Sequence, residues 1–229
     1  MTQVITIFED LYNKKPLYIT VETALQRIQS GKQKQKIERV RQGDKEAKKQ
    51  LPVVLWSGRF KERKDDSLQK HSGIIVLDFD HLSDVNDAKS KLAFDQHVLA
   101  CWTSPSGDGV KAIVEISNPE RHRDHFRSLC EYFERKHGLE ADPSGINESR
   151  ACFESYDDNI CINSEPTRFG GLKSEQHAEP EPTEVKGRTD YEKLQIAAQM
   201  IRYAPDGGKH AALVRASYLL GGFIAAGRV

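Results

Sequence analysis

Two aspartates one residue apart, Asp78 and Asp80, close the aliphatic run GIIVLDFDHL at positions 73–82. Side chains alternate along a strand, so both carboxylates project to one side and Phe79 to the other. Carboxylates held that close repel, so either one carries a proton or a cation sits between them. Hard oxygen donors suit Mg2+ or Mn2+. The same pair could equally cap a strand end or make surface contacts. An EF-hand is excluded, because the sixth loop position is Ser83 rather than glycine and the twelfth is Lys89.

Two further stretches carry chemistry. In Ser104-Pro-Ser106-Gly107-Asp-Gly109-Val-Lys111, glycines let backbone N–H groups approach a phosphate and the lysine adds a point charge. A plain hairpin turn with an exposed lysine is the competing reading. The GDGVKA string matches a dinucleotide-binding pattern in form only, since the strand-like VKAIVEIS follows it, and the GK[ST] ending of a Walker loop is absent. Asp142, in ADPSGINESR, is an ordinary turn residue or a third metal carboxylate, with Arg150 then placed to bind a triphosphate. His122, His125, Cys130 and His137 fit no common zinc spacing.

The elements that must position these residues follow from periodicity. VITIF (4–8), LYIT (17–20), PVVLWSG (52–58), VLACWTS (98–104) and VKAIVEIS (110–117) suit strands, and the last two form an antiparallel hairpin. CFESYD and ICINS are short strand candidates. Thr20 caps an amphipathic helix, Ser83 is the N-cap candidate for another reaching Leu92, and Pro119 opens a long one ending at Gly138. Strands adjacent in sequence favour α+β over a doubly wound sheet. Residues 32–49 hold eight Lys or Arg against three acids and read as helical to about Gln50. That run is a solvated helix face or a nucleic-acid backbone contact through Lys32, Lys34, Lys36, Arg39 and Arg41.

Net charge is zero over 229 residues, so overall electrostatics name no partner. The N-terminus lacks a signal-peptide pattern, no stretch is long enough to span a bilayer, and the four cysteines form no C-x-x-C pair, which together predict a cytoplasmic protein with reduced thiols. From 164 to 187 Pro, Glu, Gly and Ser dominate and periodicity is lost, predicting a linker. Two helices are expected over 188–229; the second is still apolar at Val229, so a polypeptide continuing past that residue is expected.

In this order the signals resemble the three active-site motifs of the archaeo-eukaryotic primase, or primase-polymerase, superfamily. The closest resemblance is to the VirE-like N-terminal domain group of mobile elements and phages. Residues 57–60 (SGRF), 72–80 (SGIIVLDFD), 104–111 (SPSGDGVK) and 149–157 (SRACFESYD) carry it, and it covers roughly residues 1–163. It implies an N-terminal αβ module plus an RRM-like sheet, and template-directed nucleotidyl transfer with two Mg2+ or Mn2+ ions on Asp78, Asp80 and Asp142. It further implies NTP or dNTP binding by Ser104, Ser106, Gly107, Gly109, Lys111, Arg150 and Ser155, with Arg59 on nucleotide or template. Single-stranded DNA template, primer and a helicase domain or subunit are the implied partners. One departure stands out: motif two usually carries histidine, and Lys111 cannot do acid–base work near neutral pH. A catalytically silent single-strand-binding replication-initiation module and a metal-dependent nuclease are the alternatives.

Overall fold

The structure, a computed structural model, describes residues 3–171 together with Ala198 and Arg202, both helical. Met1–Lys173 form one compact unit and Ser174–Val229 a second. The expected linker beyond residue 171 and, apart from those two positions, the helical module over 188–229 lie outside the described residues.

The first unit is α+β. In chain order it contains β1 (Val4–Phe8), β2 (Leu17–Thr20), α1 (Val21–Ser30), α2 (Lys34–Arg41), α3 (Lys45–Lys49), β3 (Val53–Leu55), β4 (Gly58–Phe60), β5 (Leu68–His71) and β6 (Ile74–Phe79). Then come α4 (Val85–Ala93), β7 (Val98–Thr103), β8 (Val110–Glu115), α5 (His122–His137), β9 (Cys152–Phe153) and β10 (Cys161–Ile162). Three antiparallel sheets result, ordered β2-β1-β3-β9, β10-β7-β8-β6 and β4-β5.

The unbroken aliphatic run of β6 follows from its position between two cores. Ile75, Leu77 and Phe79 pack against Ala88 and Leu92 of α4 and Phe126, Leu129 and Phe133 of α5. Ile74 and Val76 face the first sheet, meeting Ile5, Ile7, Val54 and Trp56 together with Leu25 and Ile28 of α1. A strand covered on both sides needs apolar residues at every position, and each fully buried aliphatic side chain contributes roughly 2 kcal/mol. Asp78 continues the Ile74–Val76 face, so its carboxylate lies toward the first sheet rather than toward the helices.

Several boundaries differ from the sequence expectations, each for a local reason. The N-cap of α4 is Asp84, whose carboxylate accepts from the N–H groups of Asn86 and Asp87 at 2.9 Å, so Ser83 stays outside. The basic segment is two helices, because Gly43 has φ +97° and Asp44 begins a new cap on Ala47 N. The strand expected over 52–58 stops at Leu55; β4 then pairs with β5, a strand with no apolar alternation to announce it. Strand β6 ends at Phe79, leaving Asp80 just past it. Chain packing also continues beyond 163: Phe169 is buried in the α5 core and bridges Ile116.

Candidate functional site

Strand register builds the centre of the site. Asp78 lies directly across from Lys111 on β8, and Lys111 lies across from Trp102 on β7. The Lys111 ammonium donates to Asp78 Oδ2. Lys111 is only 7% exposed. Burial alone would favour its neutral amine, but the neighbouring Cys152, Asp78 and Asp80 hold its pKa above the ordinary lysine value. Lys111 is therefore the cation that makes a carboxylate tolerable at the end of this strand.

That pairing covers half of Asp78. Its other oxygen, Oδ1, is buried with no hydrogen-bond partner among the described residues. Glu148 Oε2 is likewise buried without a hydrogen-bond partner among the described residues, though it lies 3.6 Å from the Arg123 guanidinium; the three most deeply buried carboxylates are better served. Glu154 receives the Arg27 guanidinium on both oxygens, at 2.8 and 2.7 Å. Asp157 accepts from Lys89 Nζ, Thr103 N and Thr103 Oγ1 on one oxygen and from Asn159 N on the other. Asp95 accepts from Tyr132, Lys136 and His137 on one oxygen and from His97 N on the other. A buried acceptor without a donor costs about 1–3 kcal/mol, so the free Asp78 oxygen marks a place where something else belongs.

Asp80 stands beside it, exposed at the strand end. Partial desolvation, then the Asp78 charge, push its carboxyl above the usual carboxylate range. The glycine turn is seated directly on this end of β6. A Cβ at Gly109 would lie 2.5 Å from Phe79 O and 3.2 Å from Asp80 Oδ1, so no side chain fits there. Ser104 N donates to Gly109 O at 2.8 Å, Gly107 N to Ser104 O at 3.0 Å and Leu82 N to Asp108 O at 3.0 Å, closing the turn. Gly107, at φ +86°, takes the left-handed conformation. Ser104 is 2% exposed, and its Oγ, like Asp78 Oδ1, is buried without a partner among the described residues. Ser106 Oγ receives Lys48 Nζ from α3 at 3.1 Å.

Asp142 arrives by its backbone: its N–H donates to Asp78 O at 2.8 Å. Its carboxylate is occupied elsewhere, accepting from Ser144 N, Ser144 Oγ and Arg150 Nη2 at 2.9, 2.7 and 2.6 Å. Partial burial opposes this charge, but the Ser144 hydrogen bonds and the Arg150 guanidinium hold its pKa below the usual range. Arg150 is thus bound to Asp142 and Ser144 rather than left open.

The remaining expected residues divide. Ser155 is fully buried and its Oγ donates to Thr103 O at 2.6 Å, fixing the 152–157 segment to β7. Arg59 lies over the Tyr18 ring, 4.5 Å from its centroid, on the β4-β5 ribbon. In the basic segment Arg39 pairs with Asp44, Lys36 donates to Gln50 O, Lys34 sits over the Tyr156 ring and Lys32 is exposed. Arg41 donates to Tyr156 O and its side chain flanks Gly107. Sequence reasoning had not singled out Lys48, nor Trp56 and Trp102, whose rings pack 5.2 Å apart beside Lys111's strand position. Lys48 carried no signal beyond membership of the basic run.

The donor set suits a hard divalent cation at Asp78 and Asp80: a carboxylate oxygen unpartnered among the described residues and a second, exposed carboxylate two residues on. Magnesium commonly binds through one or two carboxylates plus phosphate oxygens. Among the described residues no three His, Cys, Asp or Glu side chains gather as a metal-holding group.

A family model described as "BT4734-like, N-terminal domain" matches residues 46–161, and the chain belongs to that family. The match runs from α3 through β10 and so contains Asp78, Asp80, the glycine turn, Lys111, Asp142 and Arg150. No curated protein and no solved structure matches the chain. Among the described residues no helix is long and apolar enough to cross a membrane.

Proposed function

We propose that this domain is a metal-dependent nucleotidyltransferase acting on nucleic acid, of the primase-polymerase kind, with its centre at the end of β6. The observation that carries the reading is the half-satisfied Asp78: a buried carboxylate oxygen without a donor, next to Asp80 and beneath a glycine turn that leaves no room for a side chain. With β9 set aside, since it joins the first sheet, the β–α–β–β–α–β succession from β6 to β10 supports it, being the element order of a split βαβ sheet. An RRM carries its last strand beside its first; here β10 joins β7 instead, a departure at one edge.

Asp78, Asp80 and Asp142 would hold the two Mg2+ or Mn2+ ions. Such ions activate an attacking 3′-hydroxyl and neutralise charge on a triphosphate. Lys111 pairs with Asp78 and fixes its rotamer while contributing a positive charge close to the phosphates. The backbone of 104–109, with Ser104 and Ser106, cradles those phosphates, and Arg150 positions the triphosphate from the Asp142 side. A nucleotide and a single-stranded DNA template with its primer are the ligands this predicts, with a helicase as functional partner.

The test is incubation with primed and unprimed single-stranded template, NTPs or dNTPs, and Mn2+ or Mg2+. Template-dependent product that disappears in Asp78→Asn and Asp80→Asn is expected. Absence of product across those conditions, or full activity in the double variant, overturns the reading. A second reading is favoured by one observation: Lys111 and Arg150 already neutralise Asp78 and Asp142, as in a catalytically silent single-strand-binding module. Metal-independent DNA binding without incorporation selects it.

A further inference from the structure

A cleft of about 690 Å3 opens between the start of the 9–15 loop and the 61–64 loop. Lys14, Lys61, Arg63 and Lys64 line it, against one acid, Glu62. Lys64 pairs with Glu62, whereas Lys14 and Lys61 form no ion pair among the described residues. Arg63 braces the walls rather than reaching out: its guanidinium lies over the buried Phe8 ring and donates to Leu11 O. Leu11 N in turn donates to Lys49 O at 3.1 Å, joining this loop to α3. Next in the chain, outside the cleft lining and two residues before Lys14, comes Tyr12, whose N–H donates to Asp10 Oδ1 and which is 67% exposed.

Two segments link the walls of the cleft to the centre. Ser149 and Ala151 line it and flank Arg150, and Ser149 N donates to Asp65 Oδ1 at 3.0 Å. On the other side α3 carries Lys48 to Ser106 in the glycine turn. A basic groove with an exposed aromatic residue two positions from one of its lysines has the features that bind a single strand: cations follow the backbone and the ring stacks a base.

We propose that this cleft, through Lys14, Lys61, Lys64 and Tyr12, binds the phosphodiester backbone of a single-stranded nucleic acid and leads it to the β6 centre. The site rests on the nucleic-acid reading above but differs from the α2 lysines in location. It requires neither metal nor turnover.

Fluorescence anisotropy of the full chain with labelled oligothymidylate and oligouridylate, across a salt series without metal, tests it. The variants are Lys14→Gln/Lys61→Gln/Lys64→Gln, Tyr12→Ala, Lys32→Gln/Lys34→Gln/Lys36→Gln and Asp78→Asn. The cleft variant is expected to lower the magnitude of the log K against log salt slope by about 2, and Tyr12→Ala to weaken binding roughly tenfold. Asp78→Asn should bind like wild type; binding by a wild-type protein that gives no template-dependent product, or full incorporation by Asp78→Asn, refutes the catalytic reading and leaves this one standing. No binding by wild type overturns the inference. So does an unchanged slope in the cleft variant, or loss confined to the α2 variant. Equal affinity for duplex with no effect of Tyr12→Ala also overturns it, as does preference for an acidic polypeptide. The substituted cleft lysines are exposed, and unchanged circular dichroism separates binding loss from unfolding.

Discussion

Two buried ion pairs in the same unit have opposite characters. Arg27 and Glu154 meet fork to fork, with the Glu154 side chain 2% exposed and both its oxygens satisfied. Lys111 and Asp78 are buried almost as deeply, at 8% and 16%, yet one Asp78 oxygen has no donor among the described residues. A planar guanidinium can saturate a carboxylate, whereas an ammonium on a neighbouring strand approaches one oxygen as a point charge. The first pair closes a structure around α1 and the segment after β9. The second leaves coordination capacity open at a strand end, which distinguishes a candidate site from a structural clamp.

The comparison can be broken at either pair. The largest effect is expected for Asp78→Asn, with incorporation falling on the order of a thousandfold, about 4 kcal/mol of transition-state stabilisation, alongside a lowered melting temperature because the buried Lys111 ammonium loses its carboxylate. A variant that loses stability and keeps activity would make Asp78 a second clamp. Arg27→Ala should do the reverse, destabilising by about 3–5 kcal/mol in denaturant titrations because Glu154 is left charged and buried. Residual folded Arg27→Ala protein should retain its activity; a specific activity loss there would erase the distinction.

A third buried pair titrates instead of bridging charges. His71 Nδ1 accepts from Gly73 N, so its Nε2 carries the hydrogen shared with His122 Nδ1 at 3.0 Å, and both rings are neutral. Burial lowers His71 to about 4, and burial followed by the His71 and Arg123 charges lowers His122 to about 3. Unfolded histidines titrate near ~6.5, so the unfolded chain binds more protons below that value. Stability should therefore fall as pH drops from about 6.5 towards 4, with a slope approaching about two protons. His71→Gln/His122→Gln should flatten that limb in pH-dependent urea unfolding. Smaller still, Gly109→Ala should cost about 1–3 kcal/mol from its clash with Phe79 O. Ser155→Ala should cost about 1 kcal/mol by freeing Thr103 O. Thermal melts rank the two.

Much of this was legible in the residues. The all-aliphatic stretch before Asp78 announced a strand covered on both faces, and alternation assigned Phe79 to the core and Asp78 to the other side. The glycine turn and its hairpin were readable because turn chemistry is local. What resisted reading depends on partners far along the chain. Strand β5, LQKH, has no apolar pattern because it pairs only with β4 at the surface. Ser155 and Arg150 read as ligand contacts, but their hydrogen-bond partners, Thr103 and Asp142, are set by tertiary packing. Lys48 was one basic residue among eight until α3 brought it to Ser106.

The strand order of the first sheet carries a consequence for how the molecule is made. Its last strand, β9, comes from residues 152–153, yet it pairs with β3 at 53–54. The N-terminal layer is consequently not an autonomous unit that can mature while the rest is being synthesised. Until Cys152 has left the ribosome, Val53 and Val54 present an open edge, and Glu154 is not there to neutralise Arg27. Such distant pairing slows folding and prolongs exposure of unpaired strand edges. Truncations ending before residue 152 should accumulate as aggregates, whereas those ending after Gly171 retain every strand of the unit.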